Sequence, residues 1–217
     1  MKKVNIKEVI FDLDGVLVST DDFHYEAWKQ LADEEGIYFD RAINERLRGV
    51  SRMASLDIVL EKSEKTYSSQ EKQELAERKN AYYVEKIHKI TEKDILPGAL
   101  ENVQALKEKG IKVAVGSSSK NAPLILKRLG IDYLFDAVVD GNQITNSKPD
   151  PEVFVKCAQK LNIDPLECLV VEDAQSGIEA GHKANMKTLA VGSAQSSPLA
   201  DYKADSLNDI NLLDIVC

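Results

Sequence analysis

Short apolar runs that alternate with helical patterns are the feature of this sequence that most constrains its fold. Five runs, rich in β-branched residues, are candidate strands: Val9 to Phe11, Ile111 to Val115, Ala137 to Val139, Leu169 to Val171, and Thr188 to Val191. Strands that alternate with helices predict an α/β fold, a Rossmann-like, doubly wound parallel sheet with helices on both faces. Such a sheet is buried on both sides, which explains why the runs are continuously apolar.

One long interval interrupts this alternation. Between residues 16 and 94 no strand is predicted, and the segment is heavily charged, with apolar residues such as Trp28 at helix spacing. Pro97-Gly98 marks the return to the sheet. We therefore predict two domains: an α/β core formed by residues 1–15 and 95–217, and an inserted all-helical cap formed by residues 16–94.

Composition excludes several kinds of partner. The net charge of -8 argues against binding to nucleic acid or to an anionic membrane. No signal peptide and no run of ~18 apolar residues is recognised. The cysteines, Cys157, Cys168 and Cys217, are widely spaced and odd in number, which predicts neither a disulfide framework nor a zinc site. We therefore expect a cytoplasmic, monomeric protein with no nucleic-acid or membrane partner.

Polar residues follow the apolar runs at the points where the predicted strands end. They are Asp12 and Asp14 after the first run, Ser117, Ser119, Lys120 and Asn121 after the second, Lys148 after the third, and Glu172 and Asp173 after the fourth. Ligands of an open α/β sheet bind beyond the carboxyl ends of its strands. Any one of these residues is typical of a helix cap, a solvated turn or a surface lysine. Their convergence on one edge of the sheet favours a functional site.

Four carboxylates at one sheet edge would repel one another unless a cation neutralised them. The four are Asp12, Asp14, Glu172 and Asp173. Oxygen ligands favour a hard ion, and Mg²⁺ is the usual one where a phosphate completes the coordination shell. Lys148 would add a fixed positive charge beside the transferring group.

The segment after the second run has the features of a phosphate-binding loop. Ser117 and Ser119 offer hydroxyl groups, and a helix is predicted to begin near Asn121 with Pro123 in its first turn. Helix amino termini bind anions through free N–H groups and the helix dipole. The alternative interpretation is an ordinary helix N-cap.

Four motifs in this order resemble those of the haloacid dehalogenase superfamily. They are Asp-Leu-Asp-Gly-Val from Asp12, Gly-Ser-Ser-Ser-Lys-Asn from Gly116, Ser-Lys-Pro-Asp-Pro from Ser147, and Val-Glu-Asp-Ala-Gln-Ser-Gly from Val171. The resemblance implies that Asp12 forms an aspartyl-phosphate and that Asp14 acts as general acid and base. It also implies that Ser117 and Lys148 hold the phosphoryl group.

The resemblance extends to the metal site and to the cap. It implies that Mg²⁺ is surrounded by Asp12, Asp14 through its carbonyl, Glu172 and Asp173. Within the superfamily, the cap resembles that of the β-phosphoglucomutase family in three stretches and the core in a fourth: residues 20–28, 47–52, 77–80 and 118–121. The implied substrates are small phosphorylated sugars. The implied reaction interconverts β-glucose 1-phosphate and glucose 6-phosphate through β-glucose 1,6-bisphosphate.

A bisphosphate intermediate requires a second phosphate site away from the metal. Arg52 offers a bidentate guanidinium for that group, and Lys120 and Asn121 are placed to assist. The backbone of Gly49, Val50 and Ser51 is expected to contact the sugar. The family resemblance implies that His24 gates Asp14, and we predict that Lys79 bridges core and cap. Without the family resemblance, Arg52, His24 and Lys79 would be interpreted as exposed residues of a charged helical domain. Trp28 is interpreted as a core residue.

Two departures from the family pattern loosen the choice of substrate. Ala174 stands where that family has serine, and Ser19 replaces an aspartate. A sugar-phosphate phosphatase on the same scaffold is therefore the first alternative function. A non-catalytic sugar-phosphate sensor is the second, but it predicts loss of at least one residue of the set Asp12, Asp14, Lys148 and Asp173, all of which are present.

Overall fold

The computed structural model describes residues 5–47 and 50–216 and centres on one parallel sheet. The six strands are β1 (Glu8–Phe11), β2 (Lys112–Gly116), β3 (Ala137–Val139), β4 (Cys168–Glu172), β5 (Lys187–Ala190) and β6 (Tyr202–Lys203). Their order across the sheet is β3-β2-β1-β4-β5-β6, and every pair is parallel. The first five correspond to the predicted apolar runs; β6 was not predicted.

Strand β1 is central and places its side chains alternately on the two faces of the sheet. Val9 and Phe11 join the apolar core on one face, whereas Ile10 joins the core on the other. Phe11 is paired with Val115 of β2 and Val171 of β4, so the ends of these three strands are level. The residues that follow them, beginning with Asp12, therefore meet at one edge.

Helices cover both faces of the sheet. Among the described residues they are α1 (Asp21–Glu34), α2 (Arg41–Glu45), α3 (Arg52–Leu60), α4 (Ser69–Ile87), α5 (Ala99–Glu108), α6 (Ala122–Leu129), α7 (Glu152–Leu161), α8 (Gln175–Lys183) and α9 (Leu213–Val216). Val103 of α5 and Ile125 of α6 pack on one face, and Phe154 of α7 and Ala180 of α8 on the other. The predicted α/β architecture is confirmed. None of the described helices combines the length and apolar character that a membrane span requires.

Helices α1 to α4 lie between β1 and α5 and form an insertion with its own apolar cluster. Trp28 and Leu31 of α1 pack there against Leu56 of α3 and Leu75 of α4. No strand is present in the described part of this insertion, residues 16–47 and 50–94. The placement of the domain boundaries at residues 15/16 and 94/95 stays a prediction.

The chain leaves and re-enters the sheet through two adjacent segments. Val18 forms an isolated antiparallel bridge with Ile95, and the backbone N–H of Leu96 donates to the carbonyl of Leu17 at 2.9 Å. The insertion is therefore attached to the sheet by a pair of hydrogen-bonded connections. This attachment places the insertion above the edge where Asp12 lies.

Helix α4 also contacts helix α6 directly. The amide Nδ2 of Asn121 donates to Oδ1 of Asn80 at 3.0 Å. Two turns further along both helices, the guanidinium of Arg128 donates to the carbonyl of His88 at 2.6 Å. These two hydrogen bonds join the insertion to the sheet domain beside the site described next.

Candidate active site

A cavity of about 380 Å³ lies between the carboxyl edge of the sheet and the helical insertion. That volume is within the usual range for a small-molecule site. Every predicted site residue that the structure describes lines it: Asp12, Asp14, His24, Val50, Ser51, Arg52, Lys79, Ser117, Ser119, Lys120, Asn121, Lys148, Glu172 and Asp173. Gly49, also predicted, lies outside the described residues. The fold thus places residues that are far apart in the sequence around the same cavity.

Lys148 holds two carboxylates together at the base of the cavity. Its Nζ lies 2.5 Å from Oδ1 of Asp12 and 2.7 Å from Oε2 of Glu172, and all three residues are buried. Burial alone lowers the pKa of Lys148, but the charges of Asp12 and Glu172 outweigh it and raise the pKa above its usual value. The lysine is therefore a permanent positive charge beside Asp12.

Three carboxylates at this edge form a group that suits a metal ion. Oxygens of Asp12, Glu172 and Asp173 lie within 4.8 Å of one another. Burial, together with the charge of Asp12, raises the pKa of Glu172 to about 7, so crowding disfavours full ionisation without a cation. An all-oxygen donor set fits a hard divalent ion.

Two glycines make room for this acidic group. Gly15 has a φ of +79°, and a Cβ atom there would overlap the carboxylate of Asp173. A Cβ atom on Gly177 would overlap the carboxylate of Glu172. Only glycine lets the backbone approach the carboxylates this closely.

The carboxylate of Asp14 is held by Thr20. It accepts hydrogen bonds from the backbone N–H of Thr20 at 2.7 Å and from the Thr20 hydroxyl. Desolvation raises the pKa of Asp14 to about 7 even though the Thr20 hydrogen bonds lower it. A group with a pKa near 7 can both donate and accept a proton at neutral pH, which suits an acid–base role.

On the insertion side of the cavity, His24 lies between Asp14 and Lys79. Nε2 of His24 is 3.8 Å from Oδ2 of Asp14, and Nδ1 is 2.9 Å from Nζ of Lys79. Desolvation, followed by the charges of Lys79 and Arg52, lowers the pKa of His24 well below 6.5. The imidazole is therefore neutral at neutral pH.

Lys79 is buried, so its interpretation as part of an exposed helix face does not hold. Its side chain is 3% exposed, and its ammonium lies 4.6 Å from the centre of the Trp28 ring and 4.7 Å from that of Tyr83. These contacts, like that with His24, are within the insertion. The neighbouring Asn80 makes a hydrogen bond to Asn121 of the sheet domain, and the bridging role of Lys79 stays a prediction. Trp28 is buried core as predicted, and it also lines the cavity.

Cationic groups gather where the insertion faces the cavity. Arg52 begins α3 after the N-cap residue Ser51, whose hydroxyl accepts from the N–H of Ala54 at 3.2 Å. Burial lowers the pKa of Arg52, and burial together with the charge of Arg52 lowers that of Lys79 well below 10.5. Because the charge of Arg52 disfavours a second positive charge on Lys79, an anionic ligand beside these groups would favour the charged form of Lys79. The cavity is thus acidic at the sheet edge and basic at the insertion.

The loop after β2 is ordered by its own hydroxyl groups. Oγ of Ser117 accepts from the N–H of Ser119 at 3.1 Å, and Oγ of Ser119 accepts from the N–H of Asn121 at 3.2 Å. Helix α6 begins directly after Asn121, as predicted. The hydroxyl of Ser118 is buried at the cavity and has no hydrogen-bond partner among the described residues, which leaves it available to a ligand.

Among the residues that had no role assigned from the sequence, Asn80, Tyr83 and Ser118 line the cavity, and Thr20 binds Asp14 behind it. Thr20, Asn80 and Ser118 lie inside the recognised motifs, but the motifs alone do not indicate their contacts. Tyr83 follows Lys79 by four residues on α4, so both lie on the same helical face. That spacing is the signal by which Tyr83 could have been found.

Comparison with known proteins assigns this fold and site to a class. A family model described as haloacid dehalogenase-like hydrolase matches residues 9–191. This match covers most of the chain and all of the strand-end motifs. The chain therefore belongs to the haloacid dehalogenase-like hydrolase family.

Within that family, the similarity is to particular sugar-phosphate enzymes. A β-phosphoglucomutase of Bacillus subtilis (strain 168) is 43% identical over 209 residues, which cover 95% of this chain and 92% of the relative. The crystal structure of a β-phosphoglucomutase from Clostridium difficile superposes with a TM-score of 0.88 at 44% identity, covering 94% of this chain and 92% of that one. A phosphorylated carbohydrates phosphatase of Thermotoga maritima is 32% identical over 85% of this chain and 84% of its own length.

Proposed function

We propose that this chain interconverts β-D-glucose 1-phosphate and glucose 6-phosphate, the activity of a β-phosphoglucomutase. The observation that carries the proposal is the polarity of this cavity, with a nucleophile and acidic group at one end and the basic side chains of Lys79 and Arg52 at the other. A sugar bisphosphate needs such a site, because one phosphate must react while the other is held. The 43% identity to the Bacillus enzyme supports the same reaction.

In this proposal Asp12 attacks the phosphoryl group and becomes an aspartyl-phosphate. Splitting the transfer into two steps lets a sugar hydroxyl take the group from an acyl phosphate. Lys148 neutralises the oxygens of that group, and Ser117 donates a hydrogen bond to it. Mg²⁺, held by Asp12, Glu172, Asp173 and the carbonyl of Asp14, supplies further charge neutralisation when bound.

Asp14 serves as the general acid and base. It gives a proton to the leaving oxygen when Asp12 is phosphorylated and takes one from the sugar hydroxyl in the return transfer. Its pKa near 7 supports both directions. His24, neutral and adjacent to Asp14, gates its access to the substrate.

The distal phosphate is assigned to the basic end of the cavity. Arg52 presents a bidentate guanidinium to it, assisted by Lys120 and Asn121. Lys79 adds a buried positive charge that has no ion-pair partner among the described residues. The sugar would lie along the segment formed by Gly49, Val50 and Ser51.

Hydrolysis is the second candidate reaction. It is favoured by one observation, the 32% identity to a phosphatase of phosphorylated carbohydrates. Both reactions use the same aspartyl-phosphate and differ in whether water or a sugar accepts the group. A non-catalytic sensor is disfavoured, because a nucleophile, an ammonium group and a carboxylate triad are assembled together. The cytoplasmic location and monomeric state stay predictions.

One assay separates the two reactions. The purified protein is incubated with Mg²⁺, β-glucose 1-phosphate and a trace of β-glucose 1,6-bisphosphate, and glucose 6-phosphate and inorganic phosphate are measured together. The proposal expects glucose 6-phosphate in large excess. Release of one phosphate per substrate consumed would assign a phosphatase. Asp132→Asn, an exposed acid-to-amide change, serves as the variant control.

A further inference from the structure

Tyr83 is a buried aromatic residue whose hydroxyl and ring contact different parts of the site. It lies on α4 and is 1% exposed. The hydroxyl contacts Thr20, which holds Asp14. The ring contacts His24 and Lys79, which are assigned to the substrate side. The hydroxyl and the ring of Tyr83 thus contact residues that have different roles in the site.

The hydroxyl of Tyr83 lies 2.9 Å from Oγ1 of Thr20. Thr20 has one hydroxyl proton, and that proton is directed to the carboxylate of Asp14. When Asp14 is ionised, Tyr83 must therefore be the donor to Thr20. Thr20 also stands at the N-cap position of α1, but its side chain makes no capping hydrogen bond. Its hydroxyl is committed to Asp14 and Tyr83 instead of to its own helix.

The ring of Tyr83 supports the neighbouring basic groups. It stacks on the imidazole of His24 with ring centres 4.0 Å apart and an interplanar angle of 28°. The ammonium of Lys79 lies 4.7 Å from the ring centre, within range of a cation–π attraction. The ring therefore fixes the positions of two residues that face the substrate.

We propose that Tyr83 is a positioning residue with two separable effects on the mutase reaction. Its hydroxyl orients Asp14 through Thr20 and so affects the chemical step. Its ring orients His24 and Lys79 and so affects substrate binding. This inference rests on the proposed function.

A matched pair of variants tests the hydroxyl. Tyr83→Phe removes only the hydroxyl and keeps the ring, and we expect kcat to fall about fivefold with KM nearly unchanged. Tyr82→Phe makes the same change on the adjacent tyrosine, whose hydroxyl binds Glu34 on the exposed side, and should leave both constants unchanged. Equal kcat values in the two variants, or parallel changes of kcat and KM in Tyr83→Phe, would overturn the proposal.

A third variant tests the ring. Tyr83→Leu should add a rise in KM of about tenfold to the loss in kcat, because His24 and Lys79 lose their support. An unchanged KM in folded Tyr83→Leu would refute the role of the ring. If that variant does not fold, the comparison of Tyr83→Phe with Tyr82→Phe still decides whether the hydroxyl positions Asp14.

The same variants distinguish failure of this inference from failure of the proposed function. Wild-type protein that releases phosphate instead of forming glucose 6-phosphate would refute the mutase reaction. The kcat and KM of hydrolysis would then be measured for the same variants, since Asp14 is needed there too. A split of effects between hydroxyl and ring would still support Tyr83 as a positioning residue.

Discussion

Nζ of Lys79 lies 2.9 Å from Nδ1 of His24, and this contact determines which proton the histidine carries. As an ammonium group, Lys79 has N–H donors and no lone pair, so Nδ1 accepts. The hydrogen of neutral His24 is then on Nε2, which faces Asp14 at 3.8 Å. Lys79 thereby places the N–H donor of His24 on the nitrogen that faces Asp14.

Replacing Lys79 should be visible in the titration of His24. Because the charge of Lys79 helps to lower the pKa of His24, Lys79→Met should raise that pKa toward 6.5. The rise should be incomplete, since desolvation is the larger cause. Nuclear magnetic resonance of the imidazole protons measures it, with Lys86→Met on the outer side of the same helix as the control. An unchanged His24 titration in Lys79→Met would rule out this electrostatic coupling.

Replacing Asp12 should abolish turnover and leave the fold intact. Asp12→Asn retains the shape of the side chain but removes the nucleophilic carboxylate, so no aspartyl-phosphate can form. Activity and the phosphorylated protein, detected by mass spectrometry, should both disappear, while the melting temperature changes little. Asp132→Asn should behave like the wild type. Residual turnover by Asp12→Asn at the wild-type rate would contradict covalent catalysis.

Replacing Arg52 should separate the two phosphate sites. Arg52→Ala should lower kcat/KM for the mutase reaction by about tenfold to a hundredfold, because charge-assisted hydrogen bonds to the distal phosphate are lost. Hydrolysis of acetyl phosphate, which has no distal phosphate, should change much less. Arg46→Ala, which removes a surface ion pair with Glu61, provides the control. Equal losses on both substrates would remove Arg52 from the distal site.

Glu8 should make stability depend on pH independently of the active site. Its side chain is fully buried, one oxygen has no partner among the described residues, and desolvation raises its pKa from 4.5 to about 7. Below pH 4.5 the group is protonated in both folded and unfolded states. Between pH 4.5 and about pH 7, Glu8 ionises only in the unfolded state. The free energy of unfolding therefore falls as pH rises through this range and levels off above about pH 7.

The Glu8 effect can be measured with a neutral isostere. The shift corresponds to a loss of up to about 3 kcal/mol in the free energy of unfolding. Glu8→Gln should remove this loss and be more stable than wild type at pH 8 but similar at pH 4.5. Urea denaturation at both pH values measures the difference, with exposed Glu101→Gln as the control. A pH-independent difference between wild type and Glu8→Gln would exclude a protonated Glu8.

The sequence was sufficient for the sheet because its strands are buried on both faces. Val9 to Phe11 and Leu169 to Val171 are continuously apolar, and both became central strands. Strand β6 was missed because Tyr202 and Lys203 are both exposed and carry no apolar signal. Strand β6 forms by pairing with β5, and the sequence of β6 alone does not predict that pairing.

The strand-end residues were also predictable, since parallel strands place their carboxyl ends together. Contacts inside the insertion were not. Lys79 is surrounded by charged residues in the sequence, yet the packing of α4 on α1 buries it beneath Trp28 and His24. Likewise, Thr20 gives no sign that its hydroxyl binds Asp14 and Tyr83. Tertiary packing, which helix spacing alone does not define, determined both.

The central position of β1 has a consequence for the order in which the protein folds. Glu8 of β1 pairs with Lys112 on one side and Cys168 on the other. Both edges of β1 therefore stay unpaired until segments that are synthesised much later are available. The helical insertion emerges first and can collapse around its own short-range contacts. Closure of the long loops comes afterwards. We therefore expect Asp12 to meet Glu172 only when β4 docks, so that a nascent chain carries no assembled phosphoryl-transfer chemistry.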